Sequence, residues 1–172
     1  MPSTDFLSVD ERLLRLARTV AHRPGDERAV ARFSRLGEHA GVWLAIGLAG
    51  AAVEPERRRA WRRARRTVAG SYALNTAIKF AVRRPRPELE DLPALTSTTT
   101  RLSFPSAHAC TSFAGALTYM RIGLPAQPLY ALAVGLSLSR LYLGVHYPSD
   151  VLAGALLGTT VAALFATPGG VS

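Results

Sequence analysis

The amino-acid sequence predicts an all-α protein, a polytopic membrane bundle of about five helical spans with an amphipathic helix at its N-terminus. Three observations carry that expectation. Among the 172 residues, 48% are apolar and only 19% are charged. The apolar residues fall into blocks at 37–53, 66–82, 105–124, 129–145 and 148–167, rather than alternating as in half-buried strands. The net charge of +9 is gathered largely between blocks instead of along one soluble face.

Residues 7–21, LSVDERLLRLARTVA, set Leu7, Leu13, Leu14, Leu16, Ala17 and Val20 at helical spacing, with Asp10, Arg12, Arg15 and Arg18 mainly between them. This predicts an amphipathic helix that lies on a membrane surface or packs on the bundle. The Pro-Gly pair in HRPGDE (22–27) predicts a turn. Charged residues interrupt the first 36 positions too often for a cleavable signal peptide. A spanning helix takes about 20 mostly apolar residues, so the first two blocks are short and predict tilt or local thinning of the bilayer. Abundant Gly and Ala within the blocks suit close helix packing in lipid. The expected organisation is an arm at 1–36, a membrane-embedded domain at 37–167 and a tail at 168–172.

Orientation follows from the arginines. ERRRAWRRARR (56–66) holds seven of them and predicts a cytoplasmic loop. Nucleic-acid binding would need such charge on a folded surface with aromatic partners, and only Trp61 is present, so no nucleic-acid partner is expected. With 54–66 inside, the loop 83–104 and the turn 139–150 face outside, and so does the N-terminal arm. The arm has seven arginines of its own, but five acidic residues accompany them. The single cysteine, Cys110, excludes an internal disulfide and reads as a small buried residue. Basic residues are 20 arginines and one lysine, Lys79, a bias that fits a high-GC bacterial genome.

Three stretches distant in sequence meet at the outer boundary: KFAVRRPRP (79–87), SFPSAHA (103–109) and SRLYLGVHYPSD (139–150). They bring Lys79, Arg86, Ser106, His108, Arg140, His146 and Asp150 together. Two guanidinium forks and an ammonium make an anion site suited to phosphate oxygens, and a helix opening at Ser106 adds backbone N–H groups. A histidine held by an aspartate leaves its other nitrogen free as a nucleophile, and a second histidine can protonate a leaving alkoxide. Plainer roles also fit each residue alone. Lys79 and Arg140 suit snorkelling positions, His108 suits an interfacial hydrogen bond, and His146 with Asp150 suits a helix start behind Pro148. Charge gathered at one depth of a membrane favours function. No further cluster of metal ligands stands near these motifs, so no metal and no cofactor is expected.

The pattern K-x6-R-P from Lys79, P-S-x-H from Pro105 and S-R-x5-H-x3-D from Ser139 resembles the signature of the type-2 phosphatidic acid phosphatases, membrane lipid phosphatases whose helical core is shared with vanadium haloperoxidases. The resemblance covers about residues 36–167 and implies a phosphohistidine mechanism. By position, His146 resembles the nucleophile, Asp150 its orienting partner and His108 the leaving-group acid. Lys79, Arg86, Arg140, Ser106 and the backbone N–H of Ala107 resemble the phosphate cradle. Ala107 departs from the commoner glycine, which keeps the N–H and narrows the approach. Six spans are usual in the family, and the first has no counterpart here.

Within the family, RLGEHAGVWLA (35–45), SFPSAHA and LGVHYPSDVLAG are most similar to small actinobacterial members, some of which act on decaprenylphosphoryl-5-phosphoribose in making the arabinose donor of the cell wall. The expected protein is a multi-pass phosphatase of the bacterial plasma membrane with its site outside the cytoplasm. Its partners would be a lipid phosphate substrate and membrane lipids. Undecaprenyl diphosphate, phosphatidylglycerophosphate and phosphatidic acid are alternative substrates, and a scaffold with a basic loop is the non-enzymatic alternative. Glu38 and His39, level with the motifs, either mark where a helix leaves the lipid or recognise the hydroxyls of a sugar head group.

Overall fold

A computed structural model describes residues 8–20 and 23–165. Leu7 and Ala21 of the predicted first helix, and the predicted 168–172 tail, lie outside the described residues. The architecture is all-helical: α1 (Val9–Val20), α2 (Glu27–Arg35), α3 (Gly41–Val53), α4 (Arg58–Val82), α5 (Ala107–Ile122), α6 (Ala126–Tyr142) and α7 (Pro148–Phe165), with short 3₁₀ turns at Pro24–Asp26, Glu38–Ala40 and Pro55–Arg57. Among the described residues the only β pairing is an isolated bridge between Pro85 and Leu102.

Helix α5 is the axis of the bundle, packed against α3, α4, α6 and α7. Its residues are buried on all sides, as a central helix requires. Its most extensive partner is α7, which turns Gly154 and Gly158 toward it. A β-carbon at Gly154 would collide with the Ser106 carbonyl oxygen, and one at Gly158 with that of Cys110. Small residues four apart thus let two backbones touch, which is how helices associate where no hydrophobic drive separates them from lipid. The contact continues at the ends, where the Ser106 N–H donates to the Asp150 carbonyl at 2.9 Å. At the opposite end of the bundle the core is aromatic. Trp43 packs flat on Gly115, Trp61 packs on Gly50, and Tyr119 lies between the two indoles at 6.5 and 5.8 Å. The Tyr119 hydroxyl donates to the Trp43 carbonyl, and the Trp43 indole to Ser112 Oγ.

Helix ends fall where the local chemistry puts them. Helix α4 stops at Val82, with Arg83 left-handed ahead of Pro85. Ser106 caps α5, and Gly123, with φ of 109°, ends it. Helix α1 begins with a reciprocal cap, Ser8 Oγ accepting from the Glu11 N–H and Glu11 from the Ser8 N–H.

One expectation about the chain's organisation needs correction. The basic stretch 56–66 is not a loop, because α4 begins at Arg58 and runs for 25 residues. Arginine is a good helix former, and only Glu54–Arg57 is left to turn the chain. The predicted turn within 22–27 is present at Pro24–Asp26, and beyond it Glu27–Arg35 forms a helix not expected from the sequence. Among the described residues one helix, α7, is by itself both long and apolar enough to cross a membrane. Helices α2 and α3, bent by 47° at the break between them, match that standard as a pair.

Candidate active site

A cavity of about 330 Å³ opens where the ends of α4, α5 and α6 meet the 97–100 and 143–147 segments. It is lined by Lys79, Arg86, Ala107, His108, Arg140 and His146, so residues from all three sequence motifs share one space. Glu38 and His39 line it as well.

Each cation is held by carbonyl or hydroxyl oxygens that accept from it. Lys79 Nζ donates to the carbonyls of Ser103 and Pro105 at 2.9 Å each, and reaches that of Leu102 at 3.3 Å. The lysine therefore ties α4 to the segment that leads into α5. Arg86 donates Nε–H to the Thr100 carbonyl at 2.8 Å and Nη1–H to that of Val145 at 2.6 Å. Burial lowers its guanidinium to about 10, against the pull of Asp150, so it stays charged at neutral pH. Arg140 donates to Ser34 Oγ at 2.7 Å, while its Nε is buried without a partner. Three desolvated cations around one void make an anion site of high field.

The histidines are oriented by different neighbours. His146 Nε2 lies 3.1 Å from Arg86 Nη1. Arginine can only donate, so Nε2 carries the lone pair and Nδ1 the hydrogen. Nδ1 faces Asp150 Oδ2 at 3.5 Å, longer than a normal hydrogen bond. Burial, then Arg86, Arg140 and Lys79, hold this imidazole well below the ordinary histidine range, so it is neutral. His108 Nε2 lies 3.0 Å from the Ser34 carbonyl, which only accepts, so this nitrogen carries a hydrogen.

Asp150 is fully buried behind His146. Its Oδ2 accepts from the Tyr147 N–H at 2.8 Å and its Oδ1 from Arg84 Nη1 at 2.9 Å. Ser106 Oγ accepts from the Ala109 N–H at 3.5 Å as the cap of α5, so its hydroxyl serves the helix end while Ala107 lines the cavity.

Sequence reasoning missed three participants. Ser34 at the end of α2 joins Arg140, Ser139 and His108 through its hydroxyl and carbonyl. Nothing in its sequence context signals that. Arg84 lies inside the first motif, and its pairing with Asp150 could have been sought there. Tyr72, whose hydroxyl meets His39 Nδ1 at 2.9 Å, lines the cavity one helical turn before Thr76.

This constellation of buried and half-buried cations and two oriented histidines on a helical scaffold suits a phosphate-ester hydrolase. Residues 66–168, more than half of the chain, match the model of the PAP2 superfamily. The chain belongs to that superfamily and is a membrane lipid phosphatase. It is 42% identical over 149 residues to the decaprenylphosphoryl-5-phosphoribose phosphatase of Mycobacterium tuberculosis, covering 86% of this chain and 83% of that protein. The crystal structure of Aquifex aeolicus LpxE superposes with a TM-score of 0.77 at 26% identity, over 94% of this chain and 96% of the other. A transmembrane PAP2 type phosphatidylglycerolphosphate phosphatase from Bacillus subtilis superposes with a TM-score of 0.73 at 24% identity, over 91% and 82%.

Proposed function

We propose that this phosphatase removes the phosphate monoester from a polyprenyl-linked sugar lipid, with decaprenylphosphoryl-5-phosphoribose as the substrate. The observation that carries the mechanism is the pairing of His146 Nε2 with Arg86 Nη1, which leaves the lone pair on Nε2 beside the cation-lined cavity. The bound phosphoryl group draws that N–H away and takes its place before Nε2 attacks. In the first step Nε2 attacks phosphorus, the N–P bond forms and the ester P–O bond breaks. His108, entering this step as an imidazolium with its Nε2–H held by the Ser34 carbonyl, gives its Nδ1 proton to the departing alkoxide. Asp150 stabilises the charge that grows on the His146 ring. In the second step water attacks phosphorus, His108 takes its proton, and the N–P bond breaks to release phosphate. Arg86, Arg140, Lys79 and the Ala107 N–H hold the phosphoryl oxygens, with Ser106 keeping that N–H at a helix start. The residues present need no metal for these steps, since the cradle itself supplies the positive charge.

The substrate assignment rests on the mycobacterial relative and on the far wall of the cavity. There Glu38, His39, Tyr72 and Thr76 line it together with the hydroxyl-rich segment 97–100. His39 and Ala40 both have positive φ, of 50° and 62°. Two successive left-handed residues without glycine are costly, and the strained turn sets His39 at the cavity. Such a wall suits the hydroxyls of a pentose.

The chain acts as one membrane-embedded domain, 37–167, in the bacterial plasma membrane. It crosses the bilayer about five times, with α3 to α7 as the spans, and the site lies outside the cytoplasm. Helix α1 lies at the outer surface with Val9, Leu13 and Leu16, which are exposed, toward lipid. Purified protein incubated with phosphoribosyl, diphosphate and glycerophosphate lipids should release phosphate fastest from the first. Preference for any other lipid overturns the substrate, and release from none overturns the reaction.

A further inference from the structure

Helix α1 lies outside residues 66–168 that match the family model, yet one of its side chains reaches the back of the site. Asp10 Oδ1 accepts from the Ser149 N–H at 3.0 Å, and its Oδ2 accepts from Arg84 Nη2 at 2.8 Å and from the Ser149 hydroxyl. The other prong of the same guanidinium, Nη1, donates to Asp150 Oδ1 at 2.9 Å and to Ser149 Oγ at 2.7 Å. Its plane lies over the Tyr147 ring, 4.1 Å from the centroid. Even the backbone is fixed, because the Arg84 carbonyl accepts from the Ser103 N–H at 2.8 Å.

Arg84 is therefore a fork held between two carboxylates. Asp150 is wholly buried, and a buried carboxylate is stable only with a paired, hydrogen-bonded cation. Lys79 is committed to carbonyls and Arg86 faces Nε2 of His146, so neither bonds this carboxylate. Arg84 supplies the ion pair. Part of its side chain meets solvent, so its orientation depends on the outer prong. That prong ends on Asp10, whose helix is anchored to the same outer loop by Arg15 on Asp91 and Arg18 on the Pro93 carbonyl.

We infer that Arg84 and Asp10 are positioning residues, through which helix α1 holds Asp150 behind the histidine nucleophile. The inference rests on the proposed roles of His146 and Asp150. Without Arg84 the carboxylate loses its charge partner. Without Asp10 the charge remains but the fork is free to turn to water. The two losses should be graded, and neither residue touches the phosphate.

The test is steady-state kinetics on one lipid phosphate in detergent, with melting temperature measured on each sample. Arg84→Gln should lower kcat by about 100-fold and Asp10→Asn by about 10-fold, with KM within about 2-fold, as small misplacements of a reacting group do. Arg84→Lys keeps a point charge but not the fork, and should fall between wild type and Arg84→Gln. Wild-type kcat per folded molecule in Arg84→Gln and Asp10→Asn, with or without a lower melting temperature, overturns the inference. So does a rise in KM with kcat unchanged. His146→Ala and Asp150→Asn in the same assay separate the premises: turnover surviving in those two overturns the nucleophile reading itself. Should Arg84→Gln not fold, Asp10→Asn against Asp10→Ala decides alone, equal and wild-type kcat in both being the overturning result.

Discussion

A β-carbon on Gly37 would come within 2.6 Å of Cδ2 of His108, so the glycine and the ring are in flat contact. The backbone at Gly37, with φ of −86° and ψ of −7°, is open to any residue. The glycine is required by the histidine and not by the turn. Gly37→Ala should therefore fold and yet displace His108, lowering kcat by about 10- to 100-fold on lipid substrates. Kinetics with melting temperature on the same preparation check this, and a large loss of stability with normal kcat would contradict it.

His146→Ala should abolish turnover, while Asp150→Asn should keep a trace, about 10⁻⁴ of wild type by analogy with other histidines whose carboxylate partner is neutralised. Acid-labile phosphate should be trapped on the protein during turnover and be absent from His146→Ala. Activity should persist in excess EDTA and be inhibited by vanadate. Loss on chelation, restored by magnesium, would place the positive charge elsewhere than in the arginines and lysine.

Burial, followed by the cations Arg86, Arg140 and Lys79, keeps His146 from taking a proton in the folded state. In the unfolded chain it titrates near about 6.5. Below that pH the unfolded chain binds a proton that the folded one refuses, so stability falls as pH drops, and this contribution disappears above it. Melting temperature in detergent should decline between about pH 6.5 and about pH 5, and less steeply in His146→Gln. Identical slopes would show that the folded imidazole accepts the proton.

Glu38→Ala and His39→Ala should weaken turnover of a phosphoribosyl lipid far more than that of phosphatidic acid, because only the first offers sugar hydroxyls to that wall. The measurement is kcat/KM for both lipids in each variant. Equal falls, or none, would reduce the pair to an interfacial role.

The orientation predicted from arginine is accessible to labelling, since Cys110 is buried and should give little background. Ala94→Cys and Ala60→Cys both place a thiol at an exposed position. A membrane-impermeant reagent on intact cells should reach the first and not the second. The reverse would put dephosphorylation in the cytoplasm.

Much of this protein is written locally. The apolar blocks and their Gly, Pro and Ser punctuation locate the ends of α5 and α7 to within two residues, because caps and breakers act through their own backbone. Three motifs name the cavity's cations and two of its three histidines, His108 and His146, because residue types at fixed intervals are legible in the chain itself. Charge counting was less complete. It marked 56–66 as a boundary but read a loop where arginine continues a helix, since flanking charge reports position relative to a membrane and not backbone conformation.

The rest belongs to the tertiary structure. Ser34, Gly37 and Asp10 carry no signal in their own neighbourhoods, and each matters through a residue more than seventy positions away. Which nitrogen of His146 carries the lone pair is decided by Arg86, and which cation holds Asp150 is decided by Arg84 over its alternatives. Side-chain type and spacing are properties of the chain, whereas tautomer, ion pairing and steric contact depend on distances of a few ångströms between segments. Those distances exist only once α1 and α2 have packed against the ends of the bundle.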